Sequence, residues 1–115
     1  MPSFNRCILL GHLTRDPELK YTEAGQAIAK FGLAVNHRFK SGEDLKESVC
    51  FIDVTAFGKQ AEHCAQYLQK GSAALVEGRL EMHQWEKDGK RHTKHEVTAQ
   101  TITFMGKKGE ADHAE

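Results

Sequence analysis

The side chains best suited to bind a ligand are aromatic residues at positions that strand alternation turns toward solvent. From residue 50 to 56 every even position is apolar, whereas the odd positions between 51 and 57 hold Phe51, Asp53, Thr55 and Phe57. Successive side chains of a strand point to opposite faces, so both phenylalanines project beside a carboxylate and a hydroxyl. A large aromatic ring exposed among polar groups indicates a binding surface, and its chemistry is stacking on a planar ligand.

Two more aromatic residues occupy similar positions. Phe39 ends an alternating run between two basic residues, and Trp85 lies on the polar side of another run. Phe51 and Phe57 are six residues apart, which is about 20 Å along a strand and spans a few nucleotides of extended chain. Every base offers a π-face, so such rings stack on bases of any identity. The set Phe39, Phe51, Phe57 and Trp85 therefore predicts sequence-independent binding of single strands.

Charge gives this prediction only local support. The chain of 115 residues carries sixteen basic and sixteen acidic residues, so its formal net charge is zero. A nucleic-acid binder usually has a basic excess, but a groove responds to the charges that line it rather than to their sum. The basic residues that flank the aromatic positions are Arg38, Lys40, Lys59, Lys70 and Lys87.

Other chemistry finds little support in the sequence. The seven histidines form no HExxH motif, and the three cysteines, Cys7, Cys50 and Cys64, form no CxxC pair. Each cysteine has apolar neighbours, so we predict that all three pack in the core. With no paired acid and base and no phosphate-binding glycine loop, we predict no enzymatic activity, no cofactor and no metal site.

The elements that would position the aromatic residues alternate in a simple order. Apolar periodicity predicts strands at 4–13, 27–39, 48–57, 72–85 and 93–104, with a polar loop at 41–44 and an Asp88-Gly89 hairpin turn. The stripe Ala61, Cys64, Ala65 and Leu68 predicts a helix over 59–70 that ends before Gly71. Five strands with a helix between the third and fourth predict an all-β OB-fold, a Greek-key barrel.

Several motifs, in the same order along the chain, resemble the bacterial single-stranded DNA-binding protein family between about residues 4 and 105. They are Asn5-Arg6-Cys7-Ile8-Leu9-Leu10-Gly11, Leu13-Thr14-Arg15-Asp16-Pro17-Glu18-Leu19-Lys20-Tyr21, Phe57-Gly58-Lys59 with Ala61-Glu62, Tyr67-Leu68-Gln69-Lys70-Gly71-Ser72 and Val76-Glu77-Gly78-Arg79-Leu80. The resemblance implies an OB-fold and a homotetramer that wraps and protects single-stranded DNA during replication, recombination and repair.

The resemblance also assigns roles to residues. Its stacking positions are occupied by Phe39, Phe51, Phe57 and Trp85, the first two of which are often tryptophan in relatives. Its phosphate-contacting positions are matched by Arg6, Lys20, Lys59 and Lys70. Relatives tend to be basic where this chain has Asp53, Glu81, His83 and Gln84, so we expect fewer phosphate contacts and a shallower salt dependence.

The ends of the chain complete the predicted organisation. We assign an OB-fold single-stranded DNA-binding domain to 1–105 and a short polar, disordered tail to 106–115. Bacterial members usually end in an acidic tip that recruits replication and repair proteins, and we expect this protein to lack that tip. No membrane span or signal peptide is predicted, so we expect a cytoplasmic, nucleoid-associated protein. Two alternatives stay open, an interaction module resembling small primosomal proteins and a hydrolase or nuclease.

Overall fold

The computed structural model describes residues 2–105, and the predicted tail at 106–115 lies outside the described residues. Within 2–105 the elements follow in the order β1 (Cys7–Leu13), β2 (Glu18–Tyr21), β3 (Ala27–Ser41), β4 (Asp44–Phe57), α1 (Lys59–Tyr67), β5 (Ala73–Lys87) and β6 (Lys90–Phe104). The predicted barrel of five long strands with one helix is confirmed. The short strand β2 was not predicted, and with it the helix follows the fourth strand rather than the third.

The five long strands close into a barrel. The sheet runs in the order β1-β5-β6-β4-β3-β2, and a second pairing of β1 with β3 closes it. In that pairing His12 lies opposite Ala34 and Leu13 opposite Leu33. β4 and β6 pair in parallel over three residues of each strand, whereas the other pairings are antiparallel. The parallel pair needs a crossover connection, and α1 with β5 provides it.

The short strand β2 forms a hairpin with the start of β3. Its four residues pair with 27–30 of β3, and a turn within 22–26 joins the two strands. Gly25 has a φ of 89° in this turn, a backbone conformation that glycine adopts without steric penalty. A strand of four residues with the pattern Glu-Leu-Lys-Tyr has too little alternation to be recognised from sequence.

Two hairpins extend past the barrel as two-stranded arms. β3 and β4 pair as far as Ser41 opposite Asp44, so both strands run beyond their predicted ends at 39 and 48. Gly42 has a φ of 67°, which allows a two-residue turn where we predicted a longer polar loop. β5 and β6 meet at Asp88-Gly89, whose φ values of 55° and 76° fit a type I′ turn and confirm that hairpin.

Core packing ends where the arms leave the barrel. The largest fully buried side chains are Phe31, Leu33, Val54, Val76, Val97 and Cys64. Cys7 is half-buried, but Cys50 is exposed, so its predicted place in the core is wrong. The apolar alternation of β4 continues into the arm, where both faces of a two-stranded ribbon meet solvent. Alternation alone does not mark where the barrel stops.

Helix α1 packs one side against the barrel and ends earlier than predicted. Ala61, Cys64 and Leu68 are buried, which confirms the apolar stripe. Leu68 is already extended, with φ −102° and ψ 148°, so the helix ends at Tyr67 rather than at 70. The following residues form their own turn, in which the Gln69 N–H donates to Ser72 Oγ at 3.0 Å. That turn replaces the last helical turn, and Gly71 is therefore not the C′ residue.

One glycine is required by the closeness of β5 to β6. The strand register shifts between Glu77 and Gly78, which marks a β-bulge. A Cβ on Gly78 would overlap the backbone carbonyl oxygen of Thr98, so the two strands approach closely here only because the side chain is absent. Among the described residues, no helix has the length and apolar character needed to cross a membrane.

Candidate nucleic-acid interface

We call the side of strands β3, β4, β5 and β6 that is turned away from the barrel interior the outer face. The odd-numbered positions near the end of β4 lie on it. Val54 and Ala56 point inward and are fully buried, so the alternate positions Phe51, Asp53 and Phe57 point outward. Phe51 is 71% exposed and Phe57 is 39% exposed. Their predicted outward orientation is confirmed.

Strand register carries the outer face from β4 across β6 to β5. Asp53 lies opposite Glu96 on β6, and Glu96 lies opposite Glu81 on β5. Paired residues point to the same side of a sheet, so Trp85, four residues after Glu81, also lies on the outer face. Its ring is 45% exposed and stacks on His92, with centroids 5.6 Å apart and planes at 22°. The outer face therefore holds three of the four aromatic residues.

Phe39 lies on the other side of the β3–β4 arm. Phe51 pairs with Ala34, and five residues separate Ala34 from Phe39 along β3. An odd separation in a strand places two side chains on opposite faces. Phe39 is 41% exposed and stacks on His37, with ring centroids 5.8 Å apart. It reaches solvent as predicted, but its register does not place it with the other three rings.

Most of the predicted basic residues lie on or beside the outer face, and all of them are exposed. Strand register places Lys20, Arg38, Lys40 and Lys87 on the outer face, and Lys59 begins α1 two residues after Phe57. Lys20 pairs with Ile28, and Ile28 pairs with Phe57, so this lysine stands in the same cross-strand row as the ring. Its ammonium forms an ion pair with Glu18 at 2.9 Å. The adjacent row holds Lys30, an exposed lysine that was not among the predicted site residues.

Two predicted basic residues lie elsewhere. Arg6 precedes β1 and forms an ion pair with Glu77 of β5 at 3.3 Å, on the β1 side of the barrel. Lys70 follows α1, and its backbone N–H donates to an Asp16 carboxylate oxygen at 2.8 Å. The structure does not bring these two residues into the row of aromatic rings.

A row of carboxylates crosses the middle of the outer face. Asp53, Glu96 and Glu81 are cross-strand neighbours, and cations bracket all three. We call the set the ion network, and its contacts are Arg15–Asp53 (3.5 Å), Lys94–Asp53, Lys94–Glu96 (4.0 Å), His83–Glu96 (3.1 Å), His83–Glu81 (3.7 Å) and Arg79–Glu81 (2.8 Å). Arg15 reaches Asp53 across Gly32, where a Cβ would lie 2.8 Å from Arg15 Nη1.

The cations of the ion network lower the pKa of two of its carboxylates. The Lys94 ammonium, and after it the Arg15 guanidinium, holds the pKa of Asp53 below its ordinary value despite partial burial. Arg79 likewise lowers the pKa of Glu81. Both groups are therefore negative at neutral pH, and the three acids balance the three permanent cations of the network. The formal charges of these acids and cations cancel, so the centre of the outer face is close to electroneutral.

Three members of the ion network have the ligand atoms of a metal site. Glu81, His83 and Glu96 bring one such atom each within 4.8 Å of one another. Arg79 and Lys94 already neutralise these carboxylates, and His83 bridges them, so the ion pairs account for the cluster. The cluster could not be predicted from the sequence, because its residues come from two strands and become neighbours only through the β5–β6 register.

Residues 4–105 match the single-strand binding protein family. The single-stranded DNA-binding protein of Wolinella succinogenes is 46% identical over 108 residues, which is 92% of this chain and 67% of that protein. The single-stranded DNA-binding protein of Helicobacter pylori is 47% identical over 113 residues, 96% of this chain and 63% of that protein. The chain thus spans about two thirds of the length of such curated relatives.

Solved structures give the same likeness in three dimensions. A deletion mutant of the single-stranded DNA binding protein from Thermus aquaticus superposes with a TM-score of 0.77 at 37% identity, covering 88% of this chain and 50% of that chain. Plasmodium falciparum SSB in complex with ssDNA gives a TM-score of 0.85 at 22% identity, covering 90% and 96%. The second likeness concerns the fold alone.

Proposed function

Because this chain belongs to the single-strand binding protein family, we propose that it binds and protects single-stranded DNA without sequence preference during replication, recombination and repair. The observation that carries the proposal is the exposure of Phe51, Phe57 and Trp85 on one polar face of the barrel. A stacked base contributes about 1–3 kcal/mol and requires no particular sequence. Membership of a non-enzymatic family also supports the prediction that the chain is not an enzyme.

The arrangement of the three rings favours a strand that runs across the sheet. Phe51 and Phe57 lie on the same face of β4, roughly 20 Å apart along the strand. Trp85 lies two strands away, on β5 beyond β6, near the tip of the β5–β6 arm. Bases can stack on these rings while the backbone passes Lys20, Lys59 and the basic side of the β3–β4 arm. Phe39 is proposed as a further platform that DNA reaches by passing around the arm.

We also propose that the protein assembles as a homotetramer. An apolar strip along the outside of β1 supports this, since Ile8 and Leu10 are 57% and 54% exposed and lie opposite Glu77 and Leu75 of β5. Exposed apolar side chains in a row on a strand are typical of a subunit contact. Light scattering tests the assembly, and a monomer at micromolar concentration contradicts it. The bacterial relatives support a cytoplasmic, nucleoid-associated location.

The proposed DNA binding has a direct optical test, because Trp85 is the one tryptophan of the chain. Titration with oligo-dT is expected to quench its fluorescence as bases stack on the exposed ring. A duplex of equal length, whose bases are already stacked, is expected to quench far less. The proposal is refuted if only the duplex quenches the fluorescence, or if neither DNA quenches it at low salt.

A further inference from the structure

The ion network occupies the part of the outer face that a bound strand must cross. Asp53 stands between Phe51 and Phe57 on β4, and the carboxylate row continues from it through Glu96 to Glu81. A strand that reaches from Phe57 to Trp85 therefore passes over three negative charges. Without the bracketing cations, these charges would repel every phosphate that approached the rings.

The cations of the network are placed to contact phosphate themselves. Side chains of Lys94, Arg15 and Arg79 are 46–50% exposed, so each is open to solvent while it holds its carboxylate. Exposed ion pairs exchange partners at little cost, because solvent screens them and their net energy is small. A phosphate oxygen offers these cations the same chemistry as a carboxylate oxygen.

We propose, on the basis of the DNA binding proposed above, that Asp53 is an internal competitor of phosphate that holds Lys94 and Arg15 until single-stranded DNA displaces it. Lys94 and Arg15 are then further DNA-binding residues, and the row of carboxylates sets how strongly DNA binding depends on salt concentration. Arg79 and Glu81 repeat the arrangement on β5, with a contact of 2.8 Å.

The inference explains how an electroneutral centre and a DNA-binding face can coincide. Each exchange of carboxylate for phosphate leaves a carboxylate that must be solvated beside the bound strand, so the gain from phosphate contacts is reduced. Stacking is not affected in this way, because the rings carry no charge. Affinity should therefore fall less steeply with salt than it would if the same cations were free.

The test is the salt dependence of oligo-dT binding in Asp53→Asn. Asparagine has the same shape but no charge, so Lys94 and Arg15 become available to phosphate. One contact released steepens the slope of log affinity against log salt by about 0.7, which amounts to roughly eightfold tighter binding at about 50 mM salt relative to 1 M salt. Lys94→Gln should make the slope shallower, and in the double variant the gain from Asp53→Asn should shrink.

Controls separate this effect from charge in general and from misfolding. Glu23→Gln removes one negative charge in the exposed turn between β2 and β3, and it is expected to leave the slope near that of the parent. Asp53→Ser also removes the negative charge that holds Lys94 and Arg15, and it supplies the same test if Asp53→Asn does not fold. Circular dichroism establishes that each variant is folded.

The outcomes distinguish this inference from the function on which it rests. If the parent chain binds oligo-dT and folded Asp53→Asn has an unchanged or shallower slope, the competition is refuted while the DNA binding stands. Equal steepening in Glu23→Gln also refutes it, because the effect would then follow from net charge. If the parent chain does not bind oligo-dT at all, the proposed function fails and the inference fails with it.

Discussion

Replacing Phe51 with alanine separates binding from stability more sharply than any other single change. The ring is 71% exposed, so only a small part of it is buried against the barrel. Full burial of a phenylalanine side chain stabilises a fold by about 1.5–3 kcal/mol, so the buried part of Phe51 contributes roughly 0.5–1 kcal/mol. A lost base stack, in contrast, reduces binding by about 1–3 kcal/mol, or roughly 5- to 150-fold in Kd.

Two control variants separate an effect on DNA binding from an effect on stability. Tyr67→Ala removes a ring of similar exposure, 62%, from helix α1, where it contacts Phe104 rather than the outer face. We expect it to leave the Kd for oligo-dT unchanged. Phe31→Ala leaves a cavity in the core, because that ring is fully buried, and it should lower the free energy of unfolding by about 3–5 kcal/mol.

The assays are titration of Trp85 fluorescence with oligo-dT and urea unfolding followed by circular dichroism. If Phe51→Ala lowers the stability as much as Phe31→Ala does, the exposed ring is structural and base stacking is not its main role. The other contradictory result is a Phe51→Ala variant that retains the parent Kd and has a normal unfolding midpoint. In that case base stacking on β4 does not contribute to binding.

Three further outcomes follow from the same structure. Burial raises the pKa of the Cys64 thiol to about 11. A thiol reagent at pH 8 should therefore modify exposed Cys50 in the native protein and leave Cys64 unmodified until the protein unfolds. Rapid labelling of Cys64 in the native protein would contradict the packing of α1. Gly78→Ala should destabilise the fold by about 1–3 kcal/mol, because the added Cβ would overlap the backbone of β6. An unchanged thermal midpoint would contradict the close approach of β5 to β6. The pKa of Asp53 is lowered in the folded protein, so its carboxylate stabilises the fold above about pH 4, and this stabilisation is lost as pH falls through the folded pKa. The free energy of unfolding of Asp53→Asn should therefore decrease less steeply with acid than that of the parent. Identical acid profiles would show that the ion pair with Lys94 does not stabilise the fold.

Alternation and turn chemistry were sufficient to predict the barrel. Inward positions such as Val54 and Val76 repeat every second residue, and Asp88-Gly89 specifies a type I′ turn from its own backbone preferences. The ends of elements depended on contacts that are distant in sequence or on local competition. β2 exists because β3 offers it an edge, and α1 ends where a turn at 69–72 satisfies the backbone instead.

The aromatic part of the site was predictable and the ionic part was not. Phe51, Phe57 and Trp85 were recognisable because each is a large ring at a polar-side position of its own strand. The side of Phe39 followed from counting residues back to Ala34, which requires the β3–β4 register. Partners in the ion network come from the β1–β2 connection and three strands, so only the cross-strand pairing of Asp53, Glu96 and Glu81 brings them together.

The central claim is that stacking on the outer face, rather than phosphate pairing alone, holds single-stranded DNA. The most direct measurement compares the Kd of oligo-dT with that of an abasic oligonucleotide of the same length, which has the same phosphates and no bases. Loss of even two base stacks should weaken binding by about 2–6 kcal/mol, or roughly 30-fold or more. Equal affinity for the two oligonucleotides at moderate salt would contradict the account.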